Sequence, residues 1–198
     1  MAEVRHATRV ERYGSRLTPR ALAAACLLWG FAEATLFFVV PDVLLTLVAL
    51  RSLRRALWGC AFALLGALAG GAVMERWGST DPAAALAAVD RVPFVPTASI
   101  GRVREQLEAR GPVAVIAGAW MGRPYKLYAV QASAAGMSAA QLLAITVPAR
   151  LLRFVFLAVV AHLLARGIRA RWGWRWTLAI WAAAWTLNYA LYWTAMSS

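Results

Sequence analysis

The chain is poor in the residues on which many enzymes and metal proteins depend. Its 198 residues include two histidines, His6 and His162, two cysteines, Cys26 and Cys60, and one lysine, Lys126. So few imidazoles and thiols leave metal binding and histidine-based catalysis without support. Both cysteines stand among small and aliphatic neighbours, where a thiol behaves as a small hydrophobe. Neither a serine elbow nor a zincin motif is present, so the expectation is a protein that is not an enzyme and holds no cofactor or metal. Acids are scarce too, nine against 21 bases, for a formal net charge of +12. That balance can indicate a nucleic-acid partner, but here the arginines flank apolar segments instead of covering one soluble face, which argues against it. The arginines before Ala21 imitate a signal peptide; with only five residues between Arg20 and Cys26 and no cleavage site after them, an uncleaved anchor is expected.

What the chain has in abundance is apolar sequence. It is 62% hydrophobic, with a mean hydropathy of +0.60 and ten tryptophans, more than a soluble domain of this length can hide in one core. An all-α integral membrane protein is expected. Residues 56–74, 142–165 and 174–196 each meet the roughly 20 apolar residues that a helix needs to cross a bilayer. Two further blocks, 21–50 and 112–140, are about 30 residues long and broken internally by proline beside a charge, Pro41-Asp42 in one and Arg123-Pro124 in the other. Proline ends or kinks a helix at the residue before it, so each block should form two half-helices around an irregular tip. Irregular backbone at membrane depth persists only where protein or a water-filled cavity satisfies it, which predicts two re-entrant hairpins.

Arginine placement orients this arrangement. The segment 1–20 carries Arg5, Arg9, Arg12, Arg16 and Arg20; Arg51, Arg54 and Arg55 follow the first hairpin; Arg166, Arg169, Arg171 and Arg175 precede the last span. The linker 75–111 is neutral, with five arginines and five acids. By the excess of positive charge in cytoplasmic loops, the three basic segments lie inside, the linker lies outside, and Trp172, Trp174 and Trp176 mark the inner interface. Residues 21–74 and 112–165 are each a broken block followed by one span, 54 residues long, and would be inverted repeats within a single domain, 21–196. Inverted repeats with discontinuous helices are the hallmark of secondary transporters, whose site lies where the broken tips meet. In the linker, 97–110 places Ile100, Val103 and Leu107 on one helical face, either on the outer membrane surface or packed over the hairpins. Gly66, Gly70 and Gly71 offer close helix packing, and His162 reads as an interfacial or capping residue.

Six ionisable residues fall within the apolar blocks: Glu33, Asp42, Arg123, Lys126, Arg150 and Arg153. A charge at membrane depth costs roughly 2.5 to 3.5 kcal/mol on insertion scales and usually faces a protein interior or a watery path. Pro124 can open a half-helix with Arg123 and Lys126 beside it, an anion site. Arg150 and Arg153, three residues apart, share a face and could converge on the same anion, for which phosphate suits their forked donors. The alternative is that these bases only neutralise Glu33 and Asp42. Asp42 can cap the second half-helix or act as a functional acid. Glu33, in mid-segment with no terminus to cap, is a candidate proton carrier or charge-balancing partner.

Phe31-Ala32-Glu33-Ala34 and Pro41-Asp42-Val43-Leu44-Leu45, then Pro124-Tyr125-Lys126 with Ala135-Gly136, then Arg150 and Arg153-Phe154, resemble the DedA or VTT superfamily, the SNARE-associated Golgi proteins, and most closely its YqaA-like branch. The resemblance covers about residues 22–156. It implies two facing re-entrant hairpins, a bacterial inner-membrane location and translocation of membrane lipids, polyprenyl phosphate or phospholipid, with a link to the proton-motive force. The family's intramembrane acid corresponds to Glu33, its tip to Pro41 and Asp42, its lysine to Lys126 and its arginine pair to Arg150 and Arg153; Arg123 has no counterpart. The resulting expectation is a transporter or scramblase of a phosphate-bearing lipid, with protons as a second partner and a homo-oligomer compatible with the sequence. A proton-coupled small-ion transporter and a membrane scaffold with purely structural charges are the alternatives.

Overall fold

Proline and hydroxyl side chains set the helix boundaries of the first third. In the computed structural model, which describes residues 18–93, 95 and 97–197, Thr18 caps α1 (Pro19–Ala34) by accepting a hydrogen bond from the Ala21 amide at 3.2 Å, and Pro19 opens its first turn without losing an internal bond. Arg5, Arg9, Arg12, Arg16 and His6 lie outside the described residues, as does Pro96. The helix ends where the Thr35 hydroxyl donates back to the carbonyls of Phe31 and Ala32, at 3.0 and 2.9 Å. After an irregular tip, α2 (Asp42–Ala49) starts behind Pro41. Then α3 (Leu53–Thr80) is capped by Ser52.

The linker contains more helix than its prolines suggest. Asp81 caps α4 (Pro82–Asp90) through the Ala84 amide at 3.0 Å, with Pro82 in the tolerated first position. α5 (Thr97–Arg110) follows, as its periodicity predicts. Val103 and Leu107 on its apolar face are buried in a cluster with Val89, Val115 and Leu127. Of the two places open to that face, Val103 and Leu107 take the one against the protein, and Ile100 is partly buried beside them.

The second broken block forms α6 (Val113–Trp120), a tip at 121–124 and a short α7 (Tyr125–Gln131). α7 stops well before residue 140, because the chain turns through Gly136 at φ 76° and Ser138 starts the next helix by bonding Gln141. That helix, α8 (Ala139–Ser197), runs through the arginine link expected between two spans, since arginine is a good helix former. It breaks only at Gly173, with φ 81° and ψ −179°, a conformation essentially confined to glycine. Contacts along α2 show that the chain reverses there. Arg153 meets Asp42 and His162 meets Ala49 before the break; Arg51 meets Trp174, Thr46 meets Trp181 and Trp185, and Val40 meets Tyr189 after it. The two arms of α8 therefore run antiparallel.

Among the described residues the chain is all-helical, and two helices, α3 and Ala139–Tyr192 of α8, are long and apolar enough to cross a membrane. α3 is the axis. Its Gly66 lies so close to the backbone of Leu27 and Phe31 that a Cβ would overlap them, so α1 packs backbone to backbone on its first half; Gly78 meets the Val130 backbone, so α7 follows its second half. Two apolar clusters result. One holds Cys26, Cys60, Ala63 and Phe154, the other Ala34, Ala67, Tyr125 and Ala149. Their seam passes between Ala63 and Ala67 on α3 and between Ala149 and Phe154 on α8. Both cysteines are free and buried.

Candidate functional site

The ionisable residues collect at this seam. Glu33 lies in the last turn of α1, not in mid-segment, because the Thr35 back-bonds end the helix one residue later. A carboxylate there adds to the negative end of the helix dipole, and Arg150 offsets it. Arg150 Nη2 stands 2.8 Å from Glu33 Oε2 and 3.1 Å from Oε1. The guanidinium also lies over the Tyr125 ring, 4.6 Å from its centroid, and the Tyr125 hydroxyl bonds Thr146 Oγ1 at 2.8 Å. Cation–π contact and ion pair together hold Arg150 in one orientation.

Arg153 meets the other acid, with Nη2 at 2.9 Å from Asp42 Oδ2, and donates through Nη1 to the Ala119 carbonyl at 2.6 Å. Thus the two arginines do not converge on one anion through their paired groups: each takes a separate carboxylate, because the acids stand on opposite sides of the first tip. Neutralisation describes these contacts. The capping role open to Asp42 is not taken, since Pro41 is the N-cap of α2 and no side chain bonds the first turn. Asp42 nevertheless sits at the favourable end of that helix, and its Oδ1 is buried without a hydrogen-bond partner among the described residues.

Lys126 is different. It is 2% exposed, and its Nζ donates to the Phe37 carbonyl of the first tip at 2.7 Å. Among the described residues no carboxylate lies within 4 Å of it. Arg150 Nε is likewise a buried donor without a partner. Arg123 reaches Gln106 of α5: turned so that its amide oxygen faces the guanidinium, Gln106 accepts from Nη1 and Nη2 at 3.1 and 3.0 Å and donates to the Tyr128 hydroxyl at 2.7 Å. Pro41 ends the first tip and Pro124 the second, where Pro124 precedes α7 in extended conformation.

A cavity of about 140 Å³ opens between the tips, lined by Glu33, Arg123, Lys126, Arg150 and Arg153. Asn188, Tyr189 and Tyr192 of the second arm of α8 close one side of it, and the Tyr189 hydroxyl accepts from the Val40 amide at 3.1 Å. Nothing in the sequence marks these three. They sit in an apolar helix with no charge or proline beside them. With Asp42 behind Arg153, four bases face two acids, an excess of two positive charges. His162 donates Nδ1–H to the Ala49 carbonyl at 2.8 Å and so caps α2, away from the cavity. No group of three or more metal-ligating side chains occurs among the described residues. Comparison with family models, with curated proteins and with solved structures finds no match for this chain.

Proposed function

We propose that this chain is a multi-pass protein of the bacterial inner membrane that moves a phosphate-bearing lipid between leaflets, as transporter or scramblase, with the phosphate held in the cavity between the tips. In this reading the pairs α1–α2 and α6–α7 are re-entrant hairpins of two inverted repeats, α3 and each arm of α8 are spans, and the N-terminus is cytoplasmic. The observation that carries the proposal is Lys126. A buried ammonium whose partner is one carbonyl is costly, and an anion entering beside it, with Arg150 Nε and Arg123 at hand, offsets that cost. Glu33 and Asp42 hold Arg150 and Arg153 while the site is empty and balance charge as the phosphate passes, alone or with a proton.

The small volume favours a second reading, a proton-coupled transporter of a small anion, because about 140 Å³ takes a phosphate but not the glycerol and acyl chains behind it. The test is reconstitution into liposomes with fluorescent phospholipids, polyprenyl phosphate or trapped inorganic phosphate. Lipid movement above protein-free background is expected, falling about tenfold or more in Lys126→Gln for loss of one charged hydrogen-bonding group. Wild type and variant at the same background rate for every lipid would sink the lipid reading. Phosphate flux alone would establish the second.

A further inference from the structure

A second opening lies away from the charged cavity, between the start of α1 and the first turns of α3. It holds about 350 Å³ and is walled by Leu22, Ala23, Trp58 and Phe62, with Arg54 and Arg55 at one end. That volume is within the usual range of roughly 300 to 1,000 Å³ for ligand sites. Trp58 and Phe62 stack with centroids 6.4 Å apart, and Trp58 is 61% exposed, so the apolar wall faces outward.

Its basic end is energetically odd. Arg54 and Arg55 occupy the first turn of α3, where the positive end of the helix dipole disfavours cations, and that turn holds no acid. No acidic residue stands anywhere in the sequence between Asp42 and Glu75, and Arg54 makes no ion pair among the described residues. The unpaired cation of Arg54, the positive charge of Arg55 beside it, a helix N-terminus and an adjoining apolar wall together call for a ligand with a negative head and a hydrocarbon tail. The same end carries Arg51, stacked 4.4 Å over Trp174, and the exposed Trp172 and Trp176. Arginine with tryptophan is the pairing found at a membrane interface.

We propose that this groove holds an anionic phospholipid of the surrounding leaflet, its phosphate on Arg54 and Arg55 and an acyl chain along Leu22, Trp58 and Phe62, as a resident lipid distinct from any cargo. The proposal rests on the chain lying in a bilayer, not on what the cavity carries. Native mass spectrometry of the full chain in neutral detergent, with equal phosphatidylglycerol and phosphatidylcholine of the same acyl chains, tests it. Selective retention of phosphatidylglycerol is expected, unaffected by excess inorganic phosphate, kept by Lys126→Gln, and lowered roughly thirtyfold by Arg54→Gln with Arg55→Gln, taking about 1 kcal/mol for each base near an anionic headgroup. Replacement of both by lysine should keep most of it. Because Arg54 makes no ion pair among the described residues and stands in the first turn of a helix, Arg54→Gln alone should melt no lower than wild type in lipid-free detergent. Equal retention of the two lipids, displacement by phosphate, loss in Lys126→Gln or a lowered melting temperature would overturn the assignment.

Discussion

At the C-terminal end of α1, Glu33 carries a negative charge into the negative end of a helix dipole while withdrawn from water, and Arg150 stabilises it against both effects at 2.8 Å. Removing one member of such a pair strands the other. Arg150→Met is expected to lose about 3 to 5 kcal/mol of stability, most of which returns when Glu33→Gln is added. Unfolding of the single and double variants in detergent measures this; a single variant as stable as wild type would mean that the pair contributes nothing. The double variant also separates function from scaffold. If it is stable yet inactive in liposomes, the charges work in transport; if stability and activity both return, they are structural. The positions of these charges were legible in the sequence because their apolar surroundings made them costly. Their pairing was not, since Arg150 and Arg153 share one helical face and only the height of the first tip against α8 decides which acid each meets.

Helix packing depends on where side chains are missing. Gly66 lets α3 touch the backbone of α1, whereas Gly167, in the first arm of α8, has open space around it. Alanine at position 66 has to push α1 and α3 apart and should cost about 1 to 3 kcal/mol as overpacking. Alanine at position 167 should gain about 0.5 to 1 kcal/mol, because it only replaces glycine inside a helix. Melting temperatures of the two variants check the contrast, and equal shifts would mean that backbone contact does not hold these helices together. The breaks at Pro41 and Pro124 were readable because proline acts locally, and so was the small-residue stripe on α3. A reversal between residues 165 and 174 was readable as the link between two spans, but the hold of the second arm of α8 on the first hairpin was harder to read. Thr46 accepts from both Trp181 and Trp185 at 3.0 Å, and Tyr189 reaches Val40, across more than 130 residues of chain. Such contacts join apolar helix faces whose periodicity does not name a partner.

Across the whole molecule, charge and geometry divide the protein into two ends. At 1.5 Å per residue the 28 residues of α3 extend about 42 Å, more than the roughly 30 Å hydrocarbon core. One end of α3 gathers Arg51, Arg54 and Arg55 with the turn of α8 at Gly173 and its flanking Arg169, Arg171 and Arg175, while the other leads into the neutral α4 and α5. The last 90 residues contain no acid at all, so nothing in α8 dilutes the basic end. In the proposed orientation, which follows the excess of arginine, that end is cytoplasmic and α5 lies outside. Cys26 and Cys60, 1% and 0% exposed, should stay silent toward a membrane-impermeant maleimide and serve as an internal background. Gly101 is exposed on α5, where an added Cβ would meet no other group within 4 Å, and Arg169 is exposed near the turn of α8. On intact cells with the outer membrane opened, Gly101→Cys should label fully and Arg169→Cys only after the inner membrane is permeabilised. The reverse pattern would invert the orientation, and labelling of both in intact cells would remove the bilayer from between them, and with it the membrane depth on which the cost of Glu33, Lys126 and Arg150 depends.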